Sequence, residues 1–159
     1  MEDLIVLGVD PGLAATGFGV VERTGREVKR LDHGCIVTRK DEGTAVRLRK
    51  IYEEMSKIIQ QWSPDMMALE EAFIKGAAPS AALSIGQVRG VLMLAGAKNG
   101  CRIHGIAPRE VKLAMTGSGA ADKSQIERRL RRLLGIPDEI RPDHAADALA
   151  LAYVAATRG

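Results

Sequence analysis

The amino-acid sequence predicts an α/β fold: a mixed five-stranded sheet with helices packed on both faces. Three observations lead there. The chain opens with three strand-like stretches and no helix between them, it then alternates strand and helix, and it closes on three consecutive helical patterns. Strands joined by short turns pair antiparallel, whereas strands separated by a helix pair in parallel, so the two patterns together give a mixed sheet. A length of 159 residues suits one domain spanning residues 1–159. A hydrophobic fraction of 46% is enough to fill its core.

Leu4-Ile5-Val6-Leu7-Gly8-Val9-Asp10 is a short apolar run ending in an acid, the pattern of a buried strand. Pro11-Gly12 turns the chain, and Thr16 to Val21 returns it. A third strand is expected between Glu27 and Thr38. From Leu48 to Trp62, apolar residues recur at three- and four-residue steps among charged ones, which predicts an amphipathic helix stopped by Ser63-Pro64. Met66 to Glu70 is a second short apolar run ending in an acid. A long helix should follow from about Ser80 to Lys98. On it Ala82, Gly86 and Gly90 form a strip nearly free of side chains, able to accept another backbone at close range, within the chain or across a dimer. Cys101 to Ala107 reads as a strand, Pro108 to about Met115 as a short helix, and Asp122 as the cap of a helix from Lys123 to Leu134. Pro142-Asp143 opens an alanine-rich helix to about Thr157.

Charge and composition narrow the partners. The net charge of +3 leans weakly toward polyanions, but five of the ten residues from Lys123 to Arg132 are basic: Lys123, Arg128, Arg129, Arg131 and Arg132. These can follow phosphates or simply face solvent. Aromatic residues are only 3%, too few for a base-stacking platform of the single-strand-binding kind. Cys35 and Cys101 are isolated and expected as buried free thiols, and the three histidines are too widely spaced for a structural zinc site. No apolar run is expected to cross a membrane, and Met1-Glu2-Asp3-Leu4 lacks the start of a secretory signal, so a cytoplasmic setting is expected.

The candidate chemistry lies in four side chains. Asp10 and Glu70 end separate apolar strands, where an isolated buried carboxylate costs several kcal/mol unless it is paired or holds a metal. His144 and Asp147 stand three apart in the last helix and so share a face. Each alone is most simply a cap or a solvated group. Together, in a fold that brings them into one pocket, they point to a metal centre. Glu71 and Asp143 are expected as solvent-facing and capping residues.

Gly8-Val9-Asp10-Pro11-Gly12-Leu13-Ala14-Ala15-Thr16-Gly17-Phe18-Gly19-Val20, Ala68-Leu69-Glu70-Glu71-Ala72-Phe73, Gly86-Gln87-Val88-Arg89-Gly90 and Ala145-Ala146-Asp147-Ala148-Leu149-Ala150 resemble, in order and spacing, the signature blocks of RuvC-type Holliday junction resolvases. Those enzymes belong to the RNase H-like superfamily. Pro108-Arg109-Glu110-Val111-Lys112 and Asp122-Lys123-Ser124-Gln125 extend the resemblance to nearly the whole chain.

The resemblance implies a homodimeric endonuclease that nicks opposing strands of a four-way DNA junction, working with a branch-migration helicase. It implies Mg²⁺ or Mn²⁺, two ions per site, held by Asp10, Glu70 and Asp147, with His144 completing the set. Lys123 would stabilise the phosphate in the transition state. Phe73, Lys75, Arg89, Lys112, Lys123 and Arg128 are the expected DNA contacts, Phe73 as a wedge at the crossover.

Where many relatives carry an acid, this chain has His144. An imidazole removes one negative charge and supplies a nitrogen ligand, which suits Mn²⁺ better than Mg²⁺. Two other readings stay open. One is a junction-binding module whose chemistry has lapsed at His144. The other is a sugar-kinase or actin-type ATP-binding domain, which would need a second phosphate loop absent from this sequence.

Overall fold

The computed structural model describes residues 2–71 and 78–158, so Phe73 and Lys75 lie outside the described residues. The elements follow in the order β1 (Leu4–Asp10), β2 (Ala15–Thr24), β3 (Glu27–Val37), α1 (Thr44–Trp62), β4 (Met66–Glu70), α2 (Pro79–Lys98), β5 (Arg102–Ile106), α3 (Pro108–Thr116), α4 (Lys123–Leu134) and α5 (Asp143–Arg158). The five strands form one sheet in the order β3-β2-β1-β4-β5. β1 to β3 pair antiparallel, and β4 and β5 add to β1 in parallel. The expected mixed architecture is what forms.

The side-chain period of two along each strand sorts the core into two layers. Leu7 and Val9 of β1 and Met67 and Leu69 of β4 join Ile51, Met55 and Ile59 of α1 and Val88 and Leu92 of α2 on one face. Val6 of β1 and Met66 and Ala68 of β4 join Leu149, Leu151 and Ala152 of α5 on the other. The same alternation sends Asp10 and Glu70 to the α5 face, because each stands an even number of residues from Val6 or Ala68.

α5 lies unusually close to the sheet. A methyl group at Gly8 would collide with the Ala148 carbonyl and the Ala152 backbone, and one at Gly17 with the His144 carbonyl. Bare glycine on the strands and alanine on the helix let the two backbones approach, and that approach carries His144 and Asp147 to the sheet edge where β1 and β4 end.

Several boundaries differ from expectation. α1 begins one turn early, at Thr44, on a Gly43 cap that makes no side-chain hydrogen bond, so the sequence carries no capping signal there. β2 runs past Val21 to Thr24, reaching a turn at Gly25, whose φ of 62° is open to glycine, and β3 then starts at Glu27 as expected. Asp122 caps α4 as expected, accepting from the Gln125 backbone while the Gln125 side chain accepts from the Asp122 N–H.

By length and composition α2 is able to cross a membrane, which corrects the expectation that no segment would qualify. Its apolarity comes from small residues spread over 20 positions rather than a run of large ones. Val88, Leu92 and Ala95 on its inner side are nevertheless fully buried in the sheet core. Its outer side exposes Leu83, Met93 and Leu94, and the space beyond Gly86 and Gly90 is open among the described residues. Packing within the described chain therefore does not use the glycine strip. Both cysteines are free, but only Cys101 is buried; Cys35 is half-buried.

Candidate metal centre

β1 ends on Asp10 and β4 on Glu70, in adjacent strands whose pairing runs to Val9 opposite Leu69. α5 starts at Asp143, so His144 sits in its first turn and Asp147 at the start of its second, over the same sheet edge. The helix N-terminus favours negative charge there.

Asp10 is buried, with 9% relative exposure, and its Oδ2 lies 3.0 Å from His144 Nδ1. One ligand-capable atom from each of Asp10, His144 and Asp147 falls within 4.8 Å of the others, close enough to share a cation. Glu70 stands beside them, half-buried and hydrogen-bonded to Asp10.

The electrostatics are those of a carboxylate set short of positive charge. Burial pushes the Glu70 carboxyl up from 4.5 to about 8, helped by its hydrogen bond to Asp10 and the charges of Asp10 and Asp147. Burial also raises Asp10, although its hydrogen bond with Glu70 works the other way. Like charges confined in a partly buried pocket resist ionising together. A divalent cation relieves that conflict, and the donor set of carboxylate oxygens and one imidazole fits Mg²⁺ or Mn²⁺.

The basic side chains divide into those at the centre and those away from it. Lys112 and Lys123 line a cavity of about 340 Å³ together with Asp10, Glu70, His144 and Asp147. Lys123 Nζ is 3.3 Å from Asp147 Oδ2, and the Asp147 charge raises the lysine pKa above its ordinary value. Lys123 and Asp147 also border an adjoining cleft of about 410 Å³ that Arg141 and Glu139 share.

Arg128, Arg129 and Arg132 line a separate groove of about 640 Å³ between α4 and the end of α3. Arg131 departs from the expectation that it tracks phosphate with them. It pairs with Glu127 at 3.7 Å and donates to the Ile136 and Pro137 carbonyls, closing the end of α4. Arg89 is half-buried and donates to the Glu70 backbone carbonyl.

Two participants escaped the sequence reading. Gly17, under His144, was legible only as a glycine in a strand, a pattern that signals close backbone approach but not what approaches. Cys35 pairs with Gly17 across the sheet and lies near enough to Asp10 that the carboxylate, after burial, raises its thiol pKa.

Comparison with known proteins bears on the family and the fold. The family model "Crossover junction endodeoxyribonuclease RuvC" matches residues 6–155. The protein of that name from Desulforamulus reducens is 42% identical over 149 residues, covering 94% of this chain and 91% of its own length. Its counterpart from Thermotoga maritima is 41% identical over 154 residues, covering 96% and 90%. Among solved structures, T. thermophilus RuvC in complex with Holliday junction substrate superposes with a TM-score of 0.90 at 30% identity, over 95% of this chain and 92% of that one. With a family model spanning nearly its whole length and a fold shared throughout, the chain belongs to the RuvC family of crossover junction endodeoxyribonucleases.

Proposed function

We propose that this chain is a single-domain, structure-specific endonuclease that resolves four-way DNA junctions by paired symmetric nicks. Its place would be recombination and repair in the cytoplasm. The observation that carries the reading is the gathering of Asp10, Glu70, His144 and Asp147, from three distant stretches of chain, around one cavity rimmed by Lys112 and Lys123. The RuvC of T. thermophilus, bound to a Holliday junction substrate in its own structure, supports the choice of DNA.

Asp10, Glu70, His144 and Asp147 would hold two Mg²⁺ or Mn²⁺ ions. When bound, such ions lower the pKa of coordinated water and offset charge building on the phosphate. The remaining work falls to the chain. Asp10, the most buried of the four, lies beside both His144 and Glu70 and would be a central ligand of the set. His144 Nδ1, 3.0 Å from Asp10, orients that carboxylate. Lys123 bonds Asp147 while exposing 75% of its side chain, so it can turn from that carboxylate to an incoming phosphate and stabilise the charge of the transition state. Lys112, half-buried on the opposite rim, would fix a neighbouring phosphate.

Arg128, with Arg129 and Arg132, would carry a duplex arm along the groove beside α3. Phe73 and Lys75 remain candidate contacts nearer the crossover. Two symmetric cuts in a two-fold substrate call for two sites related by a two-fold axis. The outer side of α2 offers the surface for that dimer, with Leu83, Met93 and Leu94 around open glycines. A branch-migration helicase would be a further partner.

A nicking assay on a synthetic four-way junction, with linear duplex as control, tests the proposal. Wild type should cut the junction in Mn²⁺ or Mg²⁺. Asp10→Asn should reduce cutting to background while junction affinity stays within a few-fold. A wild type that binds junctions but cuts in neither metal would leave only a binding module.

A further inference from the structure

The Glu70 peptide has an unusual hydrogen-bonding problem. On its β5 side the strand is well held: Glu70 pairs with Ile106, and the Glu71 N–H donates to the Ile106 carbonyl at 2.9 Å. Because the C=O and N–H of one trans peptide point in opposite directions, the Glu70 carbonyl then points the other way, toward β1. The β1–β4 pairing stops at Val9 opposite Leu69. Continued by one residue, that register would set the Glu70 carbonyl against the backbone nitrogen of Pro11, which has no hydrogen to give. A carbonyl without a donor at a half-buried position is costly, and the strand end that bears it would fray.

Arg89 fills the gap. It stands on α2 next to Val88, whose side chain is fully buried against the same sheet, and its Nη1 donates to the Glu70 carbonyl. The donor that β1 lacks is thus brought from the far side of the β4–α2 crossover. We propose that Arg89 is a positioning residue: it replaces the missing Pro11 donor, fixes the last peptide of β4, and so sets where the Glu70 carboxylate stands relative to Asp10. This inference rests on the reading of Glu70 as a metal ligand. It differs from the expectation that Arg89 is a DNA contact, because a guanidinium spent on a backbone carbonyl acts on the centre with or without DNA present.

The test measures Mn²⁺ binding by the full-length protein without DNA, from the electron paramagnetic resonance signal of free Mn²⁺. Junction affinity is followed in parallel across a salt series. Residues that orient metal ligands typically change metal affinity by about 10–100-fold. Arg89→Met is expected to weaken Mn²⁺ binding at least about 10-fold, with junction affinity within about twofold and the salt slope unchanged.

Mn²⁺ affinity within about threefold of wild type would overturn the proposal. So would a salt slope reduced by about one, the mark of a lost phosphate contact. If Arg89→Met does not fold, Arg89→Lys, which keeps the charge but loses the planar guanidinium that reaches the carbonyl, replaces it, with a loss of more than about threefold expected and an affinity within about threefold of wild type refuting the idea. Glu70→Gln separates the two layers of argument. If Glu70→Gln binds Mn²⁺ as wild type does, the assignment of Glu70 fails; if it weakens binding while Arg89→Met does not, only the role of Arg89 fails.

Discussion

Removing the Glu70 charge should stabilise the metal-free protein at alkaline pH, and the structure sets the sign and the size. The Glu70 carboxyl is pushed from 4.5 to about 8 by burial and by Asp10 and Asp147. Between those values the folded state holds a proton that the unfolded state has lost. Stability from this group is therefore complete below about pH 4.5 and drains away as pH rises toward 8. At about 1.4 kcal/mol per pH unit the full effect is on the order of 5 kcal/mol. Solvent at the cavity rim screens part of it, leaving about 2 kcal/mol.

Urea unfolding in a chelator at pH 5, 6.5 and 8.5 measures this directly. Wild type should lose about 2 kcal/mol more than Glu70→Gln across that range, and Mn²⁺ should restore the loss in wild type alone, since metal binding favours the deprotonated ligands. Parallel pH profiles for the two proteins would refute the argument that the carboxylates are crowded without a cation.

Three further outcomes follow from the same coordinates. Gly17→Ala drives a methyl into the His144 carbonyl; a loss of about 1–3 kcal/mol in urea unfolding is expected, with a fall in nicking beyond what that loss explains. His144→Asp replaces the nitrogen ligand with oxygen, so the wild-type ratio of Mn²⁺- to Mg²⁺-supported cutting should drop by about tenfold or more; equal ratios would count against His144 as a ligand. Arg128→Ala should lower the slope of log junction affinity against log salt by about 0.9, whereas Arg131→Ala should leave that slope unchanged and instead cost about 1 kcal/mol of stability.

The contrast between Arg128 and Arg131 shows how far the sequence reaches. Both lie in one basic run on one helix, and composition treats them alike. Only the chain beyond Leu134, folding back to present the Ile136 and Pro137 carbonyls, separates the arginine that closes a helix from those that face a groove. Arg89 is the same case, since nothing local tells that its partner is a carbonyl 19 residues earlier.

What the sequence determined by itself was whatever depends on neighbours a few residues away. Short apolar runs marked the strands, the 3.6-residue period marked α1, and a capping residue opened α4. Apolar strands ending in Asp10 and Glu70 marked the carboxylates, because a charge in that setting demands an explanation. The tertiary structure decided the distances: how closely α5 could settle on Gly8 and Gly17, that His144 reaches Asp10, and which face of α2 stays uncovered. Those depend on packing between segments as many as 134 residues apart, where the contact is set by the sum of all intervening geometry and no local pattern encodes it.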